Sequence, residues 1–202
     1  MTTEASAKRS LRIRDATEHD LGAVQEIYAH HVLCGLASFE EVPPQIEELR
    51  TRWLTVRGAG LPYLAAAVDG RVIGYAYASA YRARPGYRYT VEDSVYVAQG
   101  FAGQGAGSAL LRALVERCES EPWRQMLAII GDSDNVASIA LHRRQGFELV
   151  GTLKSVGFKL GRWVDTVLMQ RSLGVGATRL PDQGSSGIER GTGAPAPPST
   201  PS

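Results

Sequence analysis

The sequence predicts a mixed α/β (α+β) domain. Three observations carry that expectation. Three strand-like segments, Tyr63–Val68, Arg71–Ala80 and Thr90–Val97, follow one another directly. Helical segments precede them in a pair and then interleave with later strands. A glycine loop joins a strand to a helix at residues 103–108. The order β α α β β β α β α β β does not fit a strictly alternating βαβ sheet and calls for helices on a largely antiparallel one.

The elements follow in chain order. Leu11 and Ile13 alternate in a short strand over residues 11–15. Thr17, with Asp20 three residues on, marks the start of a helix. Leu21, Val24, Ile27, Tyr28 and His31 then recur at helical spacing. Pro43-Pro44 is expected to open a second helix with the apolar stripe Ile46, Leu49, Trp53 and Val56. Asp69-Gly70 between two strands is a hairpin signal, because both residues tolerate the positive φ of a type I′ turn.

A helix over residues 105–120 presents Leu110, Leu111, Leu114, Val115 and Cys118 on one side. An apolar strand follows at 126–130, then a helix at 135–145 ended by Gly146. Strands at 147–156 and 163–171 close the domain.

The 202 residues divide into a flexible N-terminus over 1–10, one domain over 11–173 and a disordered tail over 174–202. The tail holds 15 Gly, Pro and Ser among its 29 residues, too little apolar surface to offset ordering entropy. At 44% hydrophobic and 21% charged, the chain reads as globular. No apolar run is long enough to span a membrane, and residues 1–11 carry no secretory signal. Net charge is +1, without the basic excess that nucleic-acid binding requires. Cys34 and Cys118 are expected as core thiols in a reducing cytoplasm, and no metal cluster is expected.

Gly103-Gln104-Gly105-Ala106-Gly107-Ser108 is the sharpest local signal. It follows Val95-Tyr96-Val97 and opens a helix. Glycines let backbone N–H groups approach a ligand, and a helix N-terminus favours an anion, so this is a phosphate-cradling arrangement. Gly-Lys-Ser/Thr is absent, and no acidic residue ends a second parallel strand about 20 residues on, so neither a P-loop nor a dinucleotide fingerprint fits.

Val95-Tyr96-Val97 with Ala102-Gly103-Gln104-Gly105-Ala106-Gly107 resembles the pyrophosphate loop of the GNAT superfamily of acyl-CoA N-acyltransferases. Ala102 stands where that family usually has Arg or Gln. Asn135, Ser138, Leu141, His142 and Gly146-Phe147 resemble its second block, with His142 in place of a usual Tyr. Segments 37–40, 87–92 and 157–165 resemble, more narrowly, the phosphinothricin and methionine-sulfoximine N-acetyltransferases.

The resemblance implies a central, mostly antiparallel twisted sheet flanked by about four helices. It implies acetyl-CoA as cosubstrate and a small amino acid analogue as acceptor. Glu92 is then the general base and His142 a second proton-transfer group. Asp93 falls on the opposite face of the strand by alternation. Backbone N–H groups of Val95 and Val97, the loop from Gly103 to Ser108, Asn135 and Ser138 would contact coenzyme A.

Arg82 and Arg84, beside Tyr81 and Tyr87, suit an α-carboxylate and an oxyanionic side group, since guanidinium grips such groups bidentately. Phe39, Glu40 and Ser94 would wall the same acceptor site, while Trp163 and Asp165 would pin the last strands. Related enzymes are often homodimers. A non-catalytic acyl-CoA sensor on the same fold, or an N-acetyltransferase for another amine, are the alternatives.

Overall fold

A computed structural model describes residues 10–120 and 122–181; the expectations for residues 1–9 and 182–202 lie outside it. Strand β1 (Leu11–Asp15) precedes a 3-10 turn and helix α1 (Leu21–Cys34). Helix α2 (Ile46–Gly58), strands β2 (Tyr63–Val68), β3 (Arg71–Ala80) and β4 (Thr90–Val97), and helix α3 (Ala106–Glu119) follow. Strand β5 (Gln125–Gly131), helix α4 (Val136–Arg144), and strands β6 (Glu148–Lys159) and β7 (Arg162–Ser172) complete the chain.

The seven strands form one sheet in the order β1-β2-β3-β4-β5-β7-β6. Every neighbouring pair is antiparallel except β4 with β5. That parallel pairing runs only from Thr90↔Gln125 to Asp93↔Ala128. Beyond it β4 stays on β3 as far as Val97, and β5 stays on β7 as far as Gly131. The sheet therefore splits between β4 and β5. Backbone groups on that edge of Ser94–Val97 have no strand to pair with, an opening that a ligand backbone can fill.

Helices cover both faces. Tyr28 of α1 stands edge-on to Tyr96, and Tyr63, Tyr75 and Tyr77 stack on that same face. Leu110, Leu111, Leu114 and Val115 of α3 are fully buried on the other. At Gly74 a Cβ would lie 2.9 Å from the Tyr96 carbonyl and 3.2 Å from Leu110, so glycine lets α3 and β4 close on β3 there.

Several boundaries differ from expectation. Helix α2 opens at Ile46, not at the prolines; Gln45 is its extended N-cap. Pro44 keeps Pro43 out of the helical region, and Gln45 stays extended as the cap, so the first helical residue is Ile46. Ile46 is consequently 44% exposed, while Leu49, Trp53 and Val56 are buried. Cys118 is buried, but Cys34 is exposed, because it ends α1 on the solvent side. Strand β6 is longer than expected and forms the sheet edge, so much of its apolar content faces outward. Trp163 is exposed and stands edge-on to Phe158, so it contributes little to pinning the strands; Asp165 does pin them, accepting from Ser133, Lys154 and the Ser155 N–H. Residues 174–181 of the anticipated tail continue as turns, with the Gly176 N–H donating to the Leu173 carbonyl.

The expected cap at Thr17 and Asp20 is present and extended. Asp20 accepts from the Thr17 N–H at 2.7 Å and takes a two-pronged hydrogen bond from Arg14 at 2.6 and 2.7 Å. The Arg14 guanidinium outweighs burial and lowers the Asp20 carboxyl to about 2. Because the folded value is depressed, this contribution is present above the ordinary carboxylate range and is lost as pH falls toward about 2. Asp20→Ala is expected to cost roughly 1–3 kcal/mol at neutral pH, with less cost at pH 3, read by chemical denaturation.

Candidate active site

Strand β4 distributes its side chains by simple alternation. Glu92, Ser94 and Tyr96 lie opposite Ser79, Tyr77 and Tyr75 of β3, on the α1 face. Val91, Asp93 and Val95 project to the α3 and α4 face. Glu92 and Asp93 are therefore adjacent in sequence and separated by the sheet, as alternation requires.

A cavity of about 150 Å³ occupies the split in the sheet. Glu92, Asp93, Ser94, Val95 and Tyr96 line it from β4, and Ala128, Ile129, Ile130 and Gly131 from β5. Asn135, Ser138 and His142 of the α4 region close one side, and Ala37 another. Six of the residues singled out from sequence thus meet in one place: Glu92, Ser94, Val95, Asn135, Ser138 and His142.

Glu92 is half-buried. Burial and then the neighbouring Asp93 carboxylate push its acid up to about 7, with Arg82 pulling the other way. A carboxylate held near neutrality can take a proton at physiological pH and release it again. His142 is 4% exposed and has both ring nitrogens occupied. Its Nδ1–H donates to the Ser138 carbonyl at 2.7 Å, and its Nε2 meets Asp93 Oδ2 at 3.0 Å. Burial opposes the charged ring, but the Asp93 carboxylate and the Ser138 carbonyl together hold His142 above its ordinary value.

The glycine loop lies at the end of β4. Gly103 and Gly105 have φ of +74° and +89°, a region that favours glycine. Gly105 delivers the chain into α3, whose first N–H groups, on Ala106, Gly107 and Ser108, have no partner inside the helix. Gln104 braces the loop by donating from Nε2 to the Gly100 carbonyl at 2.7 Å. Ser108 Oγ accepts from Gln145, tying α3 to α4. Asn135 is the N-cap of α4 and accepts from the Ser138 N–H at 3.2 Å.

Phe39, Arg82, Arg84 and Tyr87 lie outside the cavity lining, on exposed loops. Arg82 lies over the Tyr81 ring, which in turn stands edge-on to Tyr87. Glu40 is committed elsewhere, accepting from Tyr28 at 2.9 Å and Arg52 at 2.7 Å. That network fixes the loop between α1 and α2.

Sequence reasoning missed two contributors. His31 reads from sequence only as one position of the α1 stripe, yet its Nε2–H donates to the Val97 carbonyl at 2.9 Å, fixing the open end of β4. Burial keeps its ring below the ordinary value. Strand alternation gives Asp93 only a face, opposite to that of Glu92, and its pairing with a histidine 49 residues away carries no local signal.

Comparison with known proteins decides the family. The model of the acetyltransferase (GNAT) family matches residues 24–147. The chain is a GNAT acetyltransferase. It is 56% identical over 176 residues to a phosphinothricin N-acetyltransferase of Alcaligenes faecalis, covering 87% of this chain and 89% of that protein. It is 42% identical over 166 residues to an L-methionine sulfoximine/L-methionine sulfone acetyltransferase of Pseudomonas aeruginosa, covering 81% and 95%. A crystal structure of a GNAT superfamily phosphinothricin acetyltransferase from Sinorhizobium meliloti in complex with AcCoA superposes with a TM-score of 0.84. That pair is 49% identical over 86% of this chain and 94% of the other.

The architecture is thus the GNAT fold, and the split between β4 and β5 holds the cavity in which Glu92, Asp93, Asn135, Ser138 and His142 of this acyltransferase meet. Ala102 leaves the glycine loop of this GNAT chain without the usual long side chain, but the helix-start N–H groups of α3 are unaffected.

Proposed function

We propose that this enzyme transfers the acetyl group of acetyl-CoA to the α-amino group of a small amino acid analogue of the phosphinothricin or methionine sulfoximine/sulfone type. The observation that carries this is Glu92, half-buried at the mouth of the split and held near neutrality. The two relatives named above act on such acceptors, which supports the acceptor class.

Acetyl-CoA supplies the acetyl group as a thioester. The N–H groups of Gly103 to Ser108 suit its pyrophosphate, and the N–H groups of Val95 and Val97, on the edge of β4 that β5 leaves, suit the pantetheine arm and the thioester oxygen. Ser138 and the capping Asn135 would border the same arm. Glu92 removes a proton from the acceptor ammonium, so the free amine attacks the thioester carbonyl. The new C–N bond replaces the C–S bond; the second proton that the nitrogen then sheds goes to the coenzyme A thiolate, and Glu92 returns the first to solvent. No acyl-enzyme is needed.

Arg82 is close enough to act on the Glu92 carboxyl, and with Arg84 it would hold an acceptor's carboxylate and oxyanion, with Phe39, Tyr87 and Ser94 completing that site. Arg82→Ala is expected to raise the acceptor KM about 10- to 100-fold and leave the acetyl-CoA KM within about twofold. An effect confined to acetyl-CoA would remove Arg82 from the acceptor site.

A thiol-release assay tests the reading with phosphinothricin, methionine sulfoximine, methionine sulfone, an aminoglycoside and a peptide. Turnover is expected with the first three. Turnover only with the last two would assign another amine. Binding of acetyl-CoA without any turnover would assign a sensor. Leu149, Val150, Leu153, Val156 and Phe158 are exposed along edge strand β6, which supports the proposed homodimer. Sedimentation at the mass of one chain would contradict it.

A further inference from the structure

Asp93 is an unusual residue to find where it is. It is 7% exposed, on the face of β4 turned toward α3 and α4. Its Oδ2 meets His142 Nε2 at 3.0 Å, while its Oδ1 is buried without a hydrogen-bond partner, and the residue is among those that line the cavity. A buried carboxylate needs compensation, and the His142 ring, whose charged form that carboxylate favours, is the group that faces it. His142 itself has no ring N–H left for a substrate, because Nδ1 is taken by Ser138 and Nε2 by Asp93. On its open face the ring meets Phe147 edge-on at 5.1 Å.

We propose that Asp93 is a positioning residue of the acetyl-transfer site: clamped by His142, it fixes a negative charge behind Glu92, and His142 acts as its counter-ion. This deepens the reading of Glu92 as the base and rests on it. The two carboxylates belong to consecutive residues, so the fixed charge acts on Glu92 through the strand. The other groups facing Glu92 are Arg82, from the loop after β3, and Tyr77, from β3 itself. Arg82 is fully exposed and screened by solvent, whereas the Asp93–His142 pair is shielded. Among these charges the Asp93 carboxylate is therefore the shielded one and the persistent negative input to the base.

The experiment compares pH profiles of kcat/KM for the full chain and for Asp93→Asn, with acetyl-CoA and phosphinothricin. Asparagine keeps the shape and removes the charge, so the acid limb is expected to move down by about one pH unit. The plateau at high pH is expected to fall about two- to fivefold, because a weaker base abstracts the proton less readily. An acid limb that stays in place overturns the proposal, even if the melting temperature changes.

A second measurement does not depend on the variant folding. The His142 ring, followed by NMR in the unaltered protein, is expected to titrate above an ordinary histidine. A His142 that is uncharged at pH 6 overturns the proposal. Glu92→Gln separates the two readings: persistence of the same acid limb in that variant removes Glu92 as the base, whatever Asp93 does.

Discussion

Glu92→Gln is expected to lower turnover by about 10²- to 10⁴-fold while acetyl-CoA binds with near-normal affinity. The amide keeps the volume of the carboxylate and its place on the α1 face of β4, so the sheet and the glycine loop are undisturbed. Only the capacity to accept a proton goes. Burial raises the Glu92 acid to about 7, and only its ionised form is a base. Activity of the unaltered enzyme should therefore rise with pH through about 7 and level off above it. Steady-state kinetics across pH, together with calorimetry of acetyl-CoA binding, checks both halves. Unchanged turnover in the variant would exclude Glu92 as the base.

Gly131→Ala is the substitution with the largest expected cost to the fold around the site. A Cβ at Gly131 would lie 2.0 Å from the Leu36 carbonyl oxygen, closer than real Cβ contacts allow. The obstacle is backbone, not the movable end of a side chain, and the segment that carries it is held. Ser38 accepts through its carbonyl from Lys159 Nζ at 2.6 Å, and its hydroxyl meets Tyr28 Oη at 2.9 Å. Phe39 packs where a Cβ of Gly157 would lie, 2.6 Å from its ring. Lifting this strap breaks several buried contacts at once, so a loss of roughly 2–4 kcal/mol is expected. A melting temperature about 5–15 °C lower would report it. Ala37, a cavity residue, moves with the strap, so the acceptor KM should rise too. Gly151→Ala is the control, since nothing lies within 4 Å of a Cβ there. Equal melting temperatures for the two variants would show that the strap yields freely.

The parts of this molecule that local chemistry dictates were legible in the sequence. Asp69-Gly70 adopts φ of +50° and +80°, as a type I′ hairpin turn requires. The alternation that separates Glu92 from Asp93 is a property of any strand. Gly105 and Gly146 take positive φ where the sequence placed a helix start and a helix end. What local chemistry does not dictate was hidden. The split between β4 and β5 depends on where a parallel pairing stops, and no turn connects those strands to mark it. The Asp93–His142 pair and the seat of Leu36 on Gly131 join residues far apart in the chain. The outward face of β6 follows from its place at the sheet edge, which composition alone does not assign.

The most direct test of acetyl transfer in the β4–β5 split is product analysis with the full chain, acetyl-CoA labelled in the acetyl carbonyl, and phosphinothricin. The account predicts one free coenzyme A thiol for each acceptor acetylated on its α-nitrogen, with no label retained on the protein when the acceptor is omitted. Bound acetyl-CoA that is never consumed with any amino acid analogue, or label trapped covalently on the enzyme before acceptor is added, would contradict it.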